Sequence, residues 1–203
     1  MSPFIVSKNM IDFIIPSLGR ETLPNSTNSL LNQTNPNWRC YVGFDGLDES
    51  QISSDLLVED SRIQYLYLKE KLGTSEFHGN AGRVRNRIME SIENPSEWTG
   101  FLDDDDALSQ YYVEILNNEL EKEVCDCYVF RMNHGGNIIP PFDMNVLQQN
   151  YVGISFCVRT EFLKSHNIGF VNNNAEDFLF LQEIHKNGGK IKILPVVGYF
   201  VRV

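Results

Sequence analysis

The stretch Trp98-Thr-Gly-Phe-Leu102 runs directly into four consecutive aspartates, Asp103 to Asp106. An apolar run of this length predicts a buried strand, which would carry the four carboxylates to one edge of a sheet. Adjacent carboxylates repel one another unless a cation lies among them, and oxygen ligands alone suit a hard ion such as Mg²⁺ or Mn²⁺. A solvated acidic turn is the alternative, since most charge runs are no more than that. The abrupt junction with an apolar strand favours a metal site.

Composition narrows the class of protein. The chain has 203 residues, of which 42% are hydrophobic, and this is enough for the core of one domain. Its net charge of −10 argues against nucleic acid or an anionic membrane as the main partner. The N-terminus does not resemble a signal peptide, and no run approaches the roughly 20 apolar residues that span a bilayer. We therefore expect a soluble, cytoplasmic protein without a transmembrane segment. The four cysteines lack zinc-site spacing and should be reduced core thiols.

Strand-like and helix-like segments alternate along the first 123 residues. Strands are predicted over 11–15, 38–44, 63–68 and 98–102, helices over 22–33, 50–59, 82–92 and 111–123, and a loop over 69–80. This alternation predicts an α/β fold with a mostly parallel sheet covered by helices on both faces. Beyond residue 124 the pattern is mixed, with strand-like runs over 125–132, 151–158, 190–194 and 196–203 and helices over 161–166 and 178–186.

Polar residues follow three of the predicted strands. Pro16, Ser17 and Arg20 follow the first strand, Asp45 follows the second, and the aspartates follow the fourth. Ligands of an open parallel sheet bind outside the carboxyl ends of its strands, so these residues should line one site. Taken singly, the residues after the first two strands fit ordinary turns.

Three arginines occupy the opening turns of the helix predicted from Gly82, namely Arg83, Arg85 and Arg87. Cations are disfavoured at this end of a helix by the macrodipole, so an anion is expected nearby. A diphosphate would satisfy these side chains and bridge to a divalent ion held by the aspartates. The alternative is that one or two of them pair with the acidic cluster itself.

Glu176 and Asp177 precede another predicted helix. Acidic residues in a first turn are often only stabilising. One of these carboxylates at the lip of the site could instead take a proton from a substrate hydroxyl group.

Four motifs, in order and over nearly the whole chain, resemble the large inverting family 2 of GT-A glycosyltransferases. They are Phe13-Ile-Ile-Pro-Ser17 with the Ser29–Thr34 and Pro36–Trp38 segments, Gly82-Arg-Val-Arg-Asn86, Phe101-Leu-Asp-Asp-Asp-Asp106 as the Asp-x-Asp motif, and Glu176-Asp177-Phe178. At the second strand end the family often has two acidic residues, whereas Phe44 precedes Asp45 here.

The resemblance implies a GT-A, Rossmann-like fold, with a mostly parallel central sheet flanked by helices and a small mixed C-terminal part. It implies one catalytic domain over residues 1–203, with a nucleotide-sugar-binding half up to about 123 and an acceptor-side half from about 124. A further domain could follow residue 203. The implied reaction is inverting transfer of a sugar from a nucleotide-diphosphate donor, which we expect to be a UDP-sugar, to a saccharide or other hydroxyl acceptor. The implied cofactor is Mn²⁺ or Mg²⁺.

The resemblance also assigns roles to site residues. Asp103 would contact the ribose and Asp105 the metal and diphosphate, with Asp104 or Asp106 assisting. Spacing alone leaves the metal ligand open among Asp105, Asp103 and Asp106. Asp177 would be the catalytic base, with Glu176 as the second candidate. The nucleotide would be bound by Pro16, Ser17, Arg20, Asp45, Arg83 and Arg85.

Two other functions fit the same residues. A metal-dependent sugar nucleotidyltransferase also needs an acidic cluster facing a basic, phosphate-binding element, and would act on a sugar 1-phosphate and a nucleoside triphosphate. A non-catalytic nucleotide-sugar-binding module would bind the donor without hydrolysing or transferring it.

Overall fold

The computed structural model describes residues 9–73, 81–123 and 125–202. Residues 74–80 of the predicted loop and residue 203 of the last predicted strand lie outside this part. The strands are β1 (Ile11–Ser17), β2 (Trp38–Asp45), β3 (Ile63–Leu68), β4 (Trp98–Phe101), β5 (Ala107–Leu108), β6 (Cys127–His134), β7 (Asn137–Ile139), β8 (Phe156–Arg159) and β9 (Ile191–Val201). The α-helices are α1 (Leu23–Leu31), α2 (Gly82–Ser91), α3 (Tyr112–Lys122), α4 (Thr160–His166) and α5 (Glu176–Lys186). No helix in the described ranges combines the length and the apolar character needed to cross a membrane.

The strands of the described residues form one mixed sheet in the order β3-β2-β1-β4-β8-β6-β9-β5, with β7 paired to β6. Its first four strands are parallel. Strand β8 is antiparallel to both β4 and β6, whereas β9 runs parallel to β6. The α/β prediction is confirmed, with the parallel part contributed by the first half of the chain and the mixed part by the second.

The site edge of the sheet begins at Pro16 in β1. A proline inside a central strand normally removes a ladder hydrogen bond. Here the pairing of β1 with β4 stops at Ile14, whose carbonyl accepts the last bond from the Leu102 amide at 3.1 Å. Pro16 lies on the β4 side of β1 but beyond this bond, so its missing N–H costs the sheet nothing. The backbone pairing of β1 with β4 ends here, and the residues that follow the two strands meet through the hydrogen bond from Ser17 Oγ to Asp104.

Four predictions of local structure are wrong in extent, and the first is the strand predicted over 151–158, of which only Phe156–Arg159 is a strand. The helix over 50–59 is replaced by two short 3-10 turns, Glu49–Gln51 and Ser54–Leu56, because serine and aspartate side chains compete for backbone donors. The two runs over 190–194 and 196–203 form the single strand β9, and Pro195 lies where its register against β6 shifts. Helix α5 begins at Glu176, two residues before the predicted start, so both acidic residues belong to its first turn.

An aromatic cluster holds α5 against the end of the sheet. Phe180 of α5 stacks on Phe170, with ring centroids 4.3 Å apart, and on Phe156 of β8 at 5.4 Å. Its edge contacts Phe101, the last residue of β4, at 5.7 Å. Because β4 leads into the aspartates, this packing brings the first turn of α5 to the acidic cluster. All four cysteines, which lie within the described residues, are buried and form no disulfide.

An ion pair between the buried Asp12 and Arg39 stabilises the amino-terminal ends of β1 and β2, away from the acidic turn. The Asp12 carboxylate is fully buried and accepts hydrogen bonds from Arg39 Nε at 2.8 Å, Arg39 Nη2 at 3.0 Å and the Ser96 amide at 2.6 Å. We expect Arg39→Leu to lower the unfolding free energy by about 3 kcal/mol, because it leaves a buried charge without its partner. Urea denaturation measures this loss. The control is the double variant Asp12→Leu/Arg39→Leu, which should recover much of it, and a loss below about 1 kcal/mol for Arg39→Leu would contradict the assignment.

Candidate active site

The four aspartates form a turn that distant elements hold in place. The Asp106 amide donates to the Asp103 carbonyl at 3.2 Å, which closes the turn. Ser26 Oγ of α1 donates to the same carbonyl at 3.0 Å, and the Asp103 amide donates to the Tyr199 hydroxyl of β9 at 3.1 Å. The turn is therefore tied to α1 near the beginning of the chain and to β9 near its end.

Two of the four side chains are buried and bound by protein groups. Asp104 accepts from Ser17 Oγ at 2.7 Å, from the Leu18 amide at 3.3 Å and from Arg20 at 3.2 Å. Asp106 accepts from the Arg202 amide at 2.7 Å. These carboxylates join the turn to the segments that follow β1 and β9.

The other two side chains keep part of their surface open to solvent, 34% for Asp103 and 30% for Asp105. Asp103 pairs with Arg85, and Asp105 pairs with Arg20 at 3.1 Å. Arg20 is itself 48% exposed. The structure thus brings a half-exposed arginine and two accessible carboxylates together at the turn that follows β4.

Burial changes the charge of the cluster. It raises the pKa of Asp106 to about 7, with the neighbouring Asp103 adding to the rise and the Arg202 amide opposing it. Burial also raises the pKa of Asp104, against the lowering effect of Ser17 and Arg20. Two arginines therefore reduce the repulsion among the four carboxylates, and at a pH below the pKa of Asp106 a proton reduces it further. A cation need not neutralise all four charges.

The residues present fit a metal that is shared with a phosphate ligand. Among the residues that the structure describes, no group of three His, Cys, Asp or Glu side chains is placed to hold a metal by itself. Mg²⁺ and Mn²⁺, however, are usually held by one or two carboxylates together with waters and substrate phosphates. Asp103 and Asp105, with their accessible oxygens, match this requirement, whereas the Asp106 carboxylate is buried.

Asp45, at the end of β2, binds a neighbouring backbone segment. Its two carboxylate oxygens accept the amides of Leu72 at 2.6 Å and Gly73 at 2.9 Å, and the residue is 4% exposed. Phe44, where the family often has an acid, is buried between the rings of Tyr65 and Tyr67, at 6.0 and 5.5 Å. The residues at this strand end pack the edge of the site, and a nucleoside role for Asp45 stays a prediction.

The three arginines of α2 do not form one anion site. Arg85 is buried and pairs with Asp103 and Glu176, so the alternative of pairing with the acidic cluster holds for this residue. Arg83 is exposed and lines a separate cleft of about 300 Å³ beside the 70–72 segment. Arg87 lines the same cleft and lies 3.5 Å from Glu90. A role for Arg83 in nucleotide binding stays a prediction.

Glu176 and Asp177 have different surroundings although they are neighbours. Glu176 Oε2 accepts the Gly82 amide at 3.0 Å, and its Oε1 accepts Arg85 at 2.6 Å. Asp177 Oδ1 is buried and has no hydrogen-bond partner among the described residues. Burial raises the pKa of Asp177 to about 7; Arg85 lowers it, while Asp103 and Glu176 raise it further. A carboxylate with one unpaired oxygen and a pKa near neutrality is suited to proton transfer.

Sequence reasoning missed two residues that shape the site. Tyr199 supports the acidic turn from β9, and nothing in its local sequence signals this contact. Asn86 exchanges two hydrogen bonds of 2.8 Å with the backbone of Phe170, which ties α2 to the segment before α5. Asn86 belongs to the motif that begins at Gly82, but the motif did not indicate its hydrogen bonds with Phe170.

The comparisons with known proteins agree with this architecture. Residues 12–172 match the family described as "Glycosyl transferase family 2". Crystal structures of S. aureus TarS 1-349 are similar in fold, with a TM-score of 0.73 at 18% identity over 95% of this chain and 60% of that chain. TarS 1-349 in complex with UDP-GlcNAc gives 0.74 at 20% identity, over 95% of this chain and 58% of that one. Its complex with UDP gives 0.74 at 20% identity, over 96% and 60%.

This chain spans about three fifths of those TarS structures. At such low identity the likeness concerns the fold alone. No sequence among functionally curated proteins matches the chain. The family match, in contrast, extends over most of the residues and over the three motifs at Phe13, Gly82 and Phe101. The chain belongs to glycosyl transferase family 2.

Proposed function

We propose that this chain is the catalytic domain of a glycosyltransferase that moves a sugar from a UDP-sugar to a hydroxyl acceptor, with inversion at the anomeric carbon. The observation that carries the proposal is the arrangement of three carboxylates at the turn that follows β4 and the first turn of α5, which Arg85 joins. Asp103 and Asp105 are accessible and paired with arginines, whereas Asp177 has a buried oxygen without a partner. The first two suit a donor with its cation, and the third suits a proton acceptor.

The donor is inferred from the family and from its solved relatives. TarS 1-349 has been crystallised with UDP and with UDP-GlcNAc, which supports a uridine donor here and makes UDP-GlcNAc the first one to test. The nucleoside would lie against Pro16 and Ser17, where β1 and β4 separate. Ser17 lies 2.7 Å from Asp104, which fixes this wall of the site.

Asp105, together with Asp103, would hold Mn²⁺ or Mg²⁺. When bound, the cation would neutralise the charge that develops on the departing diphosphate. Arg20 would assist, because it is half-exposed and lies 3.1 Å from Asp105, within reach of a phosphate at the same place. Asp104 would act through Ser17 and Arg20, and Asp106 would support the turn from its buried position.

Asp177 would take the proton from the acceptor hydroxyl as the sugar is transferred. A base acts best when its pKa lies near the working pH, and burial brings the pKa of Asp177 to about 7. The transition state at the anomeric carbon would have oxocarbenium character, as in other glycosyl transfers. Holding donor and acceptor in line would supply much of the rate enhancement.

Nucleotide binding and donor hydrolysis test the proposed function without knowledge of the acceptor. We expect UDP and UDP-GlcNAc to raise the melting temperature by several degrees in the presence of Mn²⁺, and far less with EDTA, because a ligand that binds the native state stabilises it by about 2.7 kcal/mol at a hundred times its Kd. Slow hydrolysis of UDP-GlcNAc to UDP should accompany binding.

Two other outcomes would contradict the proposal. Formation of a nucleotide sugar from UTP and a sugar 1-phosphate would identify a nucleotidyltransferase. Binding of UDP-GlcNAc with neither hydrolysis nor transfer to any of a panel of saccharides would identify a non-catalytic module. GDP with Mn²⁺ serves as the control for the choice of base.

A further inference from the structure

The N-terminal turns of α2 and α5 face each other across the acidic cluster, and one side chain joins them. Arg85 of α2 donates through Nη1 to Glu176 of α5 at 2.6 Å. Its other terminal nitrogen, Nη2, pairs with Asp103. Glu176 is held a second time by the Gly82 amide at 3.0 Å. Arg85 thus connects the carboxylate on the donor side to the turn that carries Asp177.

Arg85 is poorly placed to bind a diphosphate. Its residue exposure is 3%, and each terminal nitrogen already faces a carboxylate. Its Nε is buried, and the guanidinium lies 5.2 Å from the centre of the Phe170 ring. A phosphate could reach this arginine only after Asp103 or Glu176 had given up its partner. The Glu176 side chain is only 13% exposed, and a buried carboxylate without a partner is costly, so an exchange that frees Glu176 is unfavourable.

A second contact fixes the same segment. Asn86, the next residue of α2, donates to the Phe170 carbonyl and accepts from the Phe170 amide, both at 2.8 Å. Two successive residues of α2 therefore hold the chain before α5 and the first turn of α5. Because Glu176 and Asp177 are adjacent in that turn, a shift of Glu176 would move the Asp177 carboxylate with it.

We propose that Arg85 and Glu176 form a positioning pair that holds Asp177 in register with Asp103, and that neither of them binds the donor phosphates or accepts the proton. This inference rests on the proposed function, in which Asp103 meets the donor and Asp177 is the base. It assigns to both residues a task different from those that the motifs imply, since Arg85 was expected at the nucleotide and Glu176 was the second candidate for the base. Misplacement of a reacting group by about 1 Å can reduce a rate a hundredfold.

The test uses Arg85→Lys, Glu176→Gln and the double variant, with UDP-GlcNAc as donor and Mn²⁺ present. Lysine keeps the charge but cannot bridge two carboxylates as a planar guanidinium does. We expect each single variant to lower kcat for donor hydrolysis by about a hundredfold. The double variant should be no slower than the slower single one, because the two residues act as one unit. The Kd for UDP should change less than about threefold in all of them.

A stability-matched control separates positioning from general loss of stability. Arg39→Lys weakens a different arginine–aspartate pair, in which Arg39 contacts the buried Asp12 near the beginning of β1. We expect it to lower the melting temperature and leave kcat unchanged. A fall in kcat for Arg39→Lys that matches that of the Arg85 variant would overturn the positioning role.

Three further results would overturn the pair. Weakening of UDP binding by tenfold or more in Arg85→Lys, with normal kcat in Glu176→Gln, would make Arg85 a phosphate ligand. Loss of activity in Glu176→Gln alone, with Arg85→Lys near normal, would make Glu176 the base. Urea unfolding of the same variants, without donor, gives the third result. If the two residues form a pair, the change in the unfolding equilibrium constant of the double variant should differ by about tenfold from the product of the two single changes. A simple product there would overturn the pair, whereas a wild type that neither binds UDP nor hydrolyses UDP-GlcNAc would overturn only the proposed function.

Discussion

Replacing Asp177 with asparagine is expected to reduce sugar transfer by about three orders of magnitude while leaving UDP binding nearly unchanged. Loss of a positioned general base typically costs between about a hundredfold and ten thousandfold. The asparagine side chain has the same size, so the packing around the buried Oδ1 position should persist. On the same preparation, the Kd for UDP measures binding, and the kcat for hydrolysis of UDP-GlcNAc measures transfer of the sugar to water.

The matched control is Glu161→Gln. Glu161 is an exposed acidic residue in the first turn of α4, so it shares the helix position of Asp177 without its burial. If acidic residues at helix starts are only stabilising in this chain, both variants should behave alike. Turnover in Asp177→Asn within a few fold of the wild type would refute the base assignment.

The pH dependence follows from the same carboxylate. Because burial raises the pKa of Asp177 from its ordinary value of 3.8 to about 7, kcat/KM should rise with pH through about 7 as the base loses its proton. The folded state binds this proton more tightly than the unfolded state, so stability from this group falls as pH increases from about 4 to 7. Asp177→Asn should therefore melt a few degrees above the wild type at pH 8, since about 1 kcal/mol corresponds to roughly 2–4 °C in a chain of this length. A lower melting temperature would argue against a raised pKa of Asp177 in the folded state.

Replacing Asp105 with alanine is expected to weaken Mn²⁺-dependent binding of UDP at least a hundredfold. Loss of groups that merely support a metal ligand already costs roughly ten- to a hundredfold in affinity, and a ligand should cost no less. The side chain is 30% exposed and pairs with the half-exposed Arg20, so the fold should tolerate the change. Calorimetric titration of UDP with Mn²⁺, and again with EDTA, measures the effect.

Chelation and a second variant complete this test. The wild type in EDTA should bind UDP about as weakly as Asp105→Ala does with Mn²⁺. Asp106→Asn addresses the other metal candidate, which is buried and bound to the Arg202 amide. A larger loss of Mn²⁺-dependent binding in Asp106→Asn than in Asp105→Ala would transfer the metal assignment to Asp106.

The parallel half of the fold could be predicted from local patterns. The runs at 11–15, 38–44 and 63–68 are apolar and bounded by polar turns, and each is a strand in the structure. The mixed half was harder, because pairing there depends on partners remote in sequence. Pro195 divides one long strand into two apparent runs, and only the register shift against β6 lets it stay within the sheet.

The site shows the same division at finer scale. Local sequence placed four aspartates at the end of a buried strand, because an apolar run stops there and carboxylates are costly to bury without partners. The local sequence did not indicate which residues each aspartate side chain contacts. In the structure Asp104 binds Ser17, 87 residues earlier, and Asp106 binds the amide of Arg202, 96 residues later, while Asp103 and Asp105 keep accessible oxygens.

The sequence by itself determined that this chain has an α/β core, that an acidic turn follows its fourth strand, and that its motifs resemble family 2. These features depend on hydrophobic periodicity and on residues close together in the chain. Contacts between distant elements pair Arg85 with Glu176, leave Asp177 Oδ1 without a hydrogen-bond partner among the described residues, and bury Asp106. The physical reason is that burial and charge pairing are set by which elements meet in space, and α2, α5 and β9 meet the acidic turn across most of the length of the chain.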